Sequence, residues 1–78
     1  MQLKEAIEYF KISEIRGFSA IPYPMQAGSW LLELAGREGR TYTMQTARGE
    51  SKAYSTLDTV AKEVERIAGR ISSVQIQV

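Results

Sequence analysis

Residues 55–69, STLDTVAKEVERIAG, predict an amphipathic helix with defined ends, and the other elements are arranged around it. Ser55 and Asp58 have the spacing of a capping box, in which a hydroxyl and a carboxylate accept hydrogen bonds from the first free amides of a helix. Gly69 is typical of the residue that ends a helix with left-handed backbone. Six apolar residues recur between them at helical spacing: Leu57, Val60, Ala61, Val64, Ile67 and Ala68. This stripe is expected to face the core, and the charged residues, Glu63 among them, to face away from it.

A β-hairpin precedes this helix. Apolar residues alternate over 29–35, which predicts a strand. Residues 36–39, GREG, have the length and composition of a hairpin loop with at least one residue at positive φ. Residues 40–46 are rich in β-branched and aromatic side chains and are expected to form the return strand. A tight turn at 47–50 and a short third strand at 51–54 then lead into the helix.

The N-terminal part of the chain predicts a helix followed by an extended segment. Apolar residues at helical spacing indicate a helix over about residues 3–11: Leu3, Ala6, Ile7 and Phe10. Residues 12–16 fit either a continuation of this helix or the start of an extended run. Residues 18–21 are expected to be extended. Pro22 and Pro24 remove two backbone donors, which places this strand at a sheet edge.

The C-terminal residues have the alternation of a strand with one buried face. Val74, Ile76 and Val78 lie on its apolar side. This strand either closes the sheet of its own chain or pairs with the edge of another chain. Because a domain of 78 residues buries only about 60% of its unfolded surface, association with a second copy would add useful stability.

Together these elements predict a single α+β domain over residues 1–78. Its expected order is an N-terminal helix, a three-stranded antiparallel sheet with an edge extension, an amphipathic helix and a short C-terminal strand. Both helices are expected on one face of the sheet.

The absence of cysteine and histidine narrows the range of functions. Zinc sites draw their ligands mainly from these two residues, and acid–base or nucleophilic catalysis near neutral pH uses them most often. The nine acidic residues are scattered singly along the chain. We therefore expect no metal, no cofactor and no enzymatic activity.

Charge and hydropathy narrow the expected location and partners. No apolar run approaches the roughly 20 residues of a membrane span, so a cytoplasmic location without membrane contact is expected. The formal charge of +1 shows no global excess of basic residues for nucleic-acid binding.

Four cations nevertheless cluster around the two hairpin turns: Arg37, Arg40, Arg48 and Lys52. With Tyr42 and Tyr54 nearby, they are candidate contacts to nucleic acid or to a protein partner. The alternative is a solvated edge, because Glu38 and Glu50 interleave with these cations and edge strands commonly carry basic residues.

Apolar and aromatic residues outside the hairpin are candidates for a protein interface. Tyr23 and Trp30 flank the turn at residues 24–29, and such an aromatic pair is typical of an interface hot spot. The competing interpretation places Trp30 in the core. Val74 and Ile76 are the second pair of candidates, through edge pairing of the terminal strand.

The hairpin and the start of the helix carry three motifs: a Gly-x-Trp strand (Gly28, Trp30), a Thr-x-Arg-Gly turn (Thr46, Arg48, Gly49) and an aromatic-x-Thr-Leu-Asp helix start (Tyr54, Thr56, Leu57, Asp58). With these motifs the chain resembles the small ParC-family partition-associated proteins of plasmids and integrative elements. The resemblance implies an accessory role in the maintenance of such elements, through contacts with partition or DNA-bound components, and no catalysis. It assigns no binding role to individual residues.

Two functional hypotheses follow. The first is a non-enzymatic accessory protein that acts by protein–protein contacts and self-associates. The second is direct nucleic-acid binding through the arginine-rich hairpin.

Overall fold

Two helices pack against one face of a four-stranded sheet in the computed structural model, which describes residues 1–77. The elements are α1 (Leu3–Lys11), β1 (Ile15–Pro22), β2 (Trp30–Gly36), a 3-10 turn (Arg37–Gly39), β3 (Thr41–Thr43), α2 (Leu57–Ala68) and β4 (Gln75–Ile76). The strand order is β3-β2-β1-β4. β2 is antiparallel to both β1 and β3, and β4 is parallel to β1. The predicted α+β class is confirmed, with three antiparallel strands between the two helices and a short C-terminal strand, and the first of these strands is β1.

The core lies between the inner face of the sheet and the two helices. The β1–β2 register places Phe18 opposite Leu34 on this inner face. The buried apolar residues are Ala6, Ile15, Phe18, Ala20, Leu32, Leu34, Met44, Tyr54, Val60, Val64 and Ile67. Met44 and Tyr54 come from the irregular segment between β3 and α2. That segment therefore contributes two side chains to the core, while its turn at residues 47–51 is exposed.

The junction between α1 and β1 settles the open prediction for residues 12–16. Ser13 adopts a φ of 63°, and the strand begins at Ile15. The amide of Glu14 donates to the Tyr9 oxygen at 2.9 Å, which closes the end of α1. The chain therefore turns and becomes extended, and the helix does not continue.

The expected edge position of β1 is wrong, because β4 pairs with β1 on the side away from β2. The Gln77 amide donates to the Ala20 oxygen at 2.9 Å. Strand residues two apart make their backbone hydrogen bonds to the same neighbouring strand, so Pro22 faces the β4 side as Ala20 does. The N–H group that proline lacks would lie there beyond the last β4 residue, Ile76. The prolines are accommodated because β1 ends at Pro22 and Pro24 lies in the following loop.

Residues 51–54 do not form the expected third strand. They make two isolated bridges, Gln45 with Ser51 and Trp30 with Tyr54. The Gln45 amide donates to the Met1 oxygen at 2.8 Å, so the chain leaves β2 soon after β3. For the same reason the return strand expected over 40–46 is only three residues long.

Helix α2 begins one residue later than the capping box predicted. The N-cap is Thr56, whose hydroxyl accepts a hydrogen bond from the Thr59 amide at 3.2 Å. Ser55 and Asp58 are not the capping pair, because the extended backbone of the N-cap falls at Thr56. The other end is as predicted, since Gly69 has a φ of 76° and ends the helix.

The C-terminal strand closes the sheet of its own chain, so this one of its two predicted arrangements is observed. Val74 is half-buried and packs against the core. The expected buried face is wrong at Ile76, which is 54% exposed because α2 covers the edge strand only partly. Val78 lies outside the described residues.

The corrected cap can be tested with a matched pair of substitutions. Thr56→Ala should lower the free energy of unfolding by about 1 kcal/mol, because it removes the acceptor for the Thr59 amide. Ser55→Ala should change it by less than about 0.5 kcal/mol, since Ser55 is exposed and caps nothing. Urea denaturation measures both, and a larger loss for Ser55→Ala than for Thr56→Ala would contradict the assignment.

Candidate functional site

Glu63 is a carboxylate on the buried side of α2, with only 2% of its side chain exposed. Its Oε2 accepts hydrogen bonds from the Tyr54 hydroxyl at 2.8 Å and from the Lys52 ammonium at 2.9 Å. Its Oε1 accepts a longer bond of 3.4 Å from the Arg66 guanidinium. Within residues 1–77 no buried side-chain nitrogen or oxygen lacks a partner. We refer to Lys52, Tyr54, Glu63 and Arg66 as the Glu63 cluster.

The protonation states of the Glu63 cluster follow from this geometry. Burial alone would raise the pKa of Glu63, but hydrogen bonds from Lys52 and Tyr54 and the charges of Lys52 and Arg66 outweigh it, and the pKa is lowered. Burial, followed by the hydrogen bond to Glu63, raises the pKa of Tyr54. At neutral pH an ionised carboxylate therefore accepts from a neutral phenol. The Lys52 ammonium also lies 5.3 Å from the centre of the Tyr54 ring, in cation–π range.

Sequence reasoning placed Glu63 on the polar face of the helix, and this was wrong. The central apolar residues of the stripe are buried as predicted: Val60, Val64 and Ile67. Leu57 and Ala61, however, are exposed. The buried face of α2 is thus rotated toward Glu63 and away from Leu57 and Ala61. Glu63 lies at one margin of the apolar stripe, and Leu57 and Ala61 lie at the opposite margin. Periodicity alone therefore cannot tell which margin of the helix is buried.

A second carboxylate, Glu14, joins the end of α1 to the β2–β3 hairpin. Arg40 contacts both of its oxygens, Nε to Oε2 at 3.0 Å and a terminal nitrogen to Oε1 at 3.1 Å. The Tyr42 hydroxyl donates to Oε2 at 2.8 Å. Hydrogen bonds from Arg40 and Tyr42 lower the pKa of Glu14 to about 2. Close by, Arg37 Nε donates to the Ser13 oxygen at 3.1 Å.

The loop between β2 and β3 is shaped to admit this contact. A Cβ atom at Gly36 would lie 2.7 Å from Oε2 of Glu14 and 2.9 Å from the ring of Tyr42, so a larger residue there would displace the carboxylate or the ring from this contact. Glu38 and Gly39 have φ angles of 58° and 75°, which confirms the predicted loop with residues at positive φ.

Only two of the four predicted contact cations lie together. Arg37 and Arg40 both reach the junction between α1 and β1. Lys52 belongs to the Glu63 cluster. Arg48 is exposed in the second turn, and its side chain makes no hydrogen bond or ion pair within residues 1–77.

An open pocket of about 280 Å³ lies beside the start of α2. Three cations line it, Lys52, Lys62 and Arg66, together with the hydroxyl residues Ser55 and Thr59. We call it the basic pocket. Sequence reasoning missed Lys62 and Arg66, because residues one turn apart on a polar helix face are usually only solvated. The pocket forms only where residues 52–55 pack against that face of α2.

A groove of about 310 Å³ runs between α2 and β4. Leu57 and Ala61 contribute to it from the helix, and Val74 and Ile76 from the C-terminal segment. We call it the apolar groove. It contains both interface residues predicted in the C-terminal segment, and it exists because α2 exposes Leu57 and Ala61.

The other predicted interface pair lies elsewhere. Trp30 is half-buried against the core, and its backbone exchanges two hydrogen bonds of 2.8 Å with Tyr54. Tyr23 is half-buried beside the loop after β1, where its amide donates to the Ser29 oxygen at 2.9 Å. Neither residue lines the apolar groove.

Comparison with known proteins adds no functional evidence. No protein-family model, no curated protein and no solved structure matches the chain. The resemblance to ParC-family partition-associated proteins therefore stays a prediction.

Two further observations concern the described part of the chain. Neither helix within residues 1–77 is long and apolar enough to cross a membrane. No group of three or more acidic side chains in that range is placed to hold a metal ion.

The role of Lys52 in the Glu63 cluster can be measured against a neighbouring lysine. Lys52→Met should lower the free energy of unfolding at pH 7 by about 1–3 kcal/mol, because Glu63 would keep its charge but lose its ammonium donor. Lys62→Met should change it by less than about 0.5 kcal/mol, since Lys62 is exposed and has no ion pair within residues 1–77. Urea denaturation at a series of pH values measures both variants.

The deficit of Lys52→Met should depend on pH. The lowered pKa of Glu63 means that its contribution to stability is present above the ordinary glutamate pKa and is lost as the pH falls below it. The deficit should therefore shrink from pH 7 toward pH 3. Equal losses for the two lysine variants, or a deficit independent of pH, would contradict this role.

Proposed function

We propose that this chain is a non-catalytic binding domain that acts through protein–protein contacts, in the first place with a second copy of itself. The apolar groove is the observation that carries the proposal. Leu57 is 37% exposed and Ile76 is 54% exposed, and both line the same depression. Large apolar side chains grouped at a surface are typical of contact sites.

The strand beside the groove supports the same proposal. β4 pairs with β1 on one side, and within residues 1–77 no strand lies on its other side. An open strand edge presents unpaired N–H and C=O groups to another chain. Because β4 has only two residues, side-chain contacts in the groove would supply much of the affinity. Two copies related by a two-fold axis would each present the same groove and edge.

The size of the domain also favours association. A chain of 78 residues without disulfides has a small core, and binding to a partner stabilises the folded state by mass action. Covering Leu57 and Ile76 would remove apolar surface that the isolated chain leaves in water.

The two most strongly held carboxylates support a role without catalysis. Glu14 and Glu63 both have lowered pKa values and accept several hydrogen bonds from neighbouring side chains. A general acid or base near neutral pH requires the opposite, a carboxyl whose pKa is raised toward the working pH. These residues hold elements of the fold together.

We extend the proposal to an accessory role, in the cytoplasm, in the maintenance of plasmids or integrative elements. This step depends on the motifs shared with the ParC-family proteins. Thr46 and Gly49 close the second turn by a hydrogen bond of 2.9 Å, and Leu57 and Asp58 line the apolar groove. One of the resembling motifs therefore lies on the surface that we propose for binding.

The same geometry gives less support to nucleic-acid binding by the hairpin. Arg40 contacts both oxygens of Glu14, and Arg37 donates to the Ser13 oxygen. Phosphate contacts would compete with these bonds.

Sedimentation with a pair of aspartate substitutions tests the proposal. The wild-type protein should form a dimer whose population rises with concentration. Leu57→Asp should shift it to monomer, because it removes an apolar side chain from the contact and adds a second carboxylate beside Asp58 in the groove. Met25→Asp is the matched control, since Met25 is 82% exposed and lies outside the groove.

A monomeric wild-type protein at every concentration tested, or equal effects of the two substitutions, would contradict self-association through the groove. The accessory role has a separate readout. If it is correct, Leu57→Asp but not Met25→Asp should raise the frequency with which dividing cells lose the element that encodes the protein.

A further inference from the structure

We propose that the basic pocket binds the phosphate group of a phosphate monoester or inorganic phosphate. Lys52 reaches it from the segment before α2, and Lys62 and Arg66 reach it from α2 itself. Glu63 is the only carboxylate that lines it. Three cations and one carboxylate leave a formal charge of +2, which matches a phosphate dianion.

Each cation retains donors for a ligand. The Lys52 ammonium gives one hydrogen bond to Glu63, and its side chain is 38% exposed. Arg66 is 65% exposed and makes a single bond of 3.4 Å to the same carboxylate. Lys62 is exposed and has no ion pair within residues 1–77. An anion in the pocket would therefore meet N–H groups from three side chains, with the exposed Ser55 hydroxyl as a further donor.

Glu63 organises the pocket and does not block it. Both of its oxygens already accept hydrogen bonds, and it is 2% exposed. By holding Lys52 with a bond of 2.9 Å it restricts one long side chain before any ligand arrives. Such restriction reduces the loss of side-chain conformational entropy on binding.

The lining of the pocket favours a small anion over a larger organic ligand. Its one aromatic residue, Tyr54, is 3% exposed and cannot stack on a nucleobase. Recognition would thus be directed to the phosphate and not to an attached ring. A phosphate diester carries one negative charge, so it matches the formal charge of +2 in the pocket less well than a monoester dianion does.

This inference goes beyond the proposed function and does not depend on it. The basic pocket and the apolar groove share no lining residue. Leu57→Asp should therefore abolish dimerisation and leave phosphate binding intact, so the two proposals fail separately.

Titration of the ¹⁵N-labelled protein with inorganic phosphate, followed by NMR, is the test. Amide signals of residues 52–66 should shift and saturate, and adenosine monophosphate should give the same pattern. Lys62→Met and Arg66→Met should each weaken binding by about tenfold or more, since each removes a charged donor. Lys4→Met, an exposed change on α1, is the matched control and should bind as the wild type does.

Sodium chloride at equal ionic strength should not reproduce these shifts. Linear shifts without saturation, or unchanged binding by Lys62→Met, would overturn the proposal. Binding of a single-stranded oligonucleotide without terminal phosphates, in the absence of binding to phosphate or adenosine monophosphate, would overturn it in favour of a backbone diester.

Discussion

A buried carboxylate on the second helix determines how the parts of this small domain meet. Lys52 and Tyr54, which bind Glu63, come from the segment between β3 and α2, where the backbone makes only isolated bridges. Their side chains attach that segment to the helix. The same contact requires α2 to turn Glu63 inward, and Leu57 and Ala61 are consequently left outside. One set of hydrogen bonds thus accounts for the position of the irregular segment, the rotation of the helix and the apolar groove beside β4.

Features of the fold that depend on neighbouring residues could be predicted from the sequence. The first helix has the predicted bounds of residues 3–11, because apolar spacing and helix propensity act within a few turns. The positive φ angles in the loop at residues 36–39 and the end of α2 at Gly69 were predicted for similar reasons. Features that depend on distant pairing were not. Pro22 suggested an edge strand, and only the position of β4 shows that the strand is interior.

The candidate sites divide in the same way. The sequence predicted that Arg37, Arg40 and Lys52 lie around the hairpin turns, but it did not predict their carboxylate or carbonyl partners. Glu14 lies 26 residues before Arg40, and Glu63 lies 11 residues after Lys52, so no local pattern links them. Glu63 itself occupies the margin of the helical stripe, where periodicity allows either exposure or burial. Only the placement of Lys52 and Tyr54 decides that it is buried and charged.

The central claim is that Glu63 is an ionised carboxylate inside the fold, held by Tyr54 and Lys52. The most direct measurement follows the carboxyl carbon of Glu63 by ¹³C NMR as the folded protein is titrated with acid. The titration midpoint should lie below the ordinary glutamate value of about 4.3, because the hydrogen bonds and nearby cations outweigh the effect of burial. A midpoint at or above that value would contradict the account, since Glu63 would then be a buried group that its neighbours do not hold in the charged form.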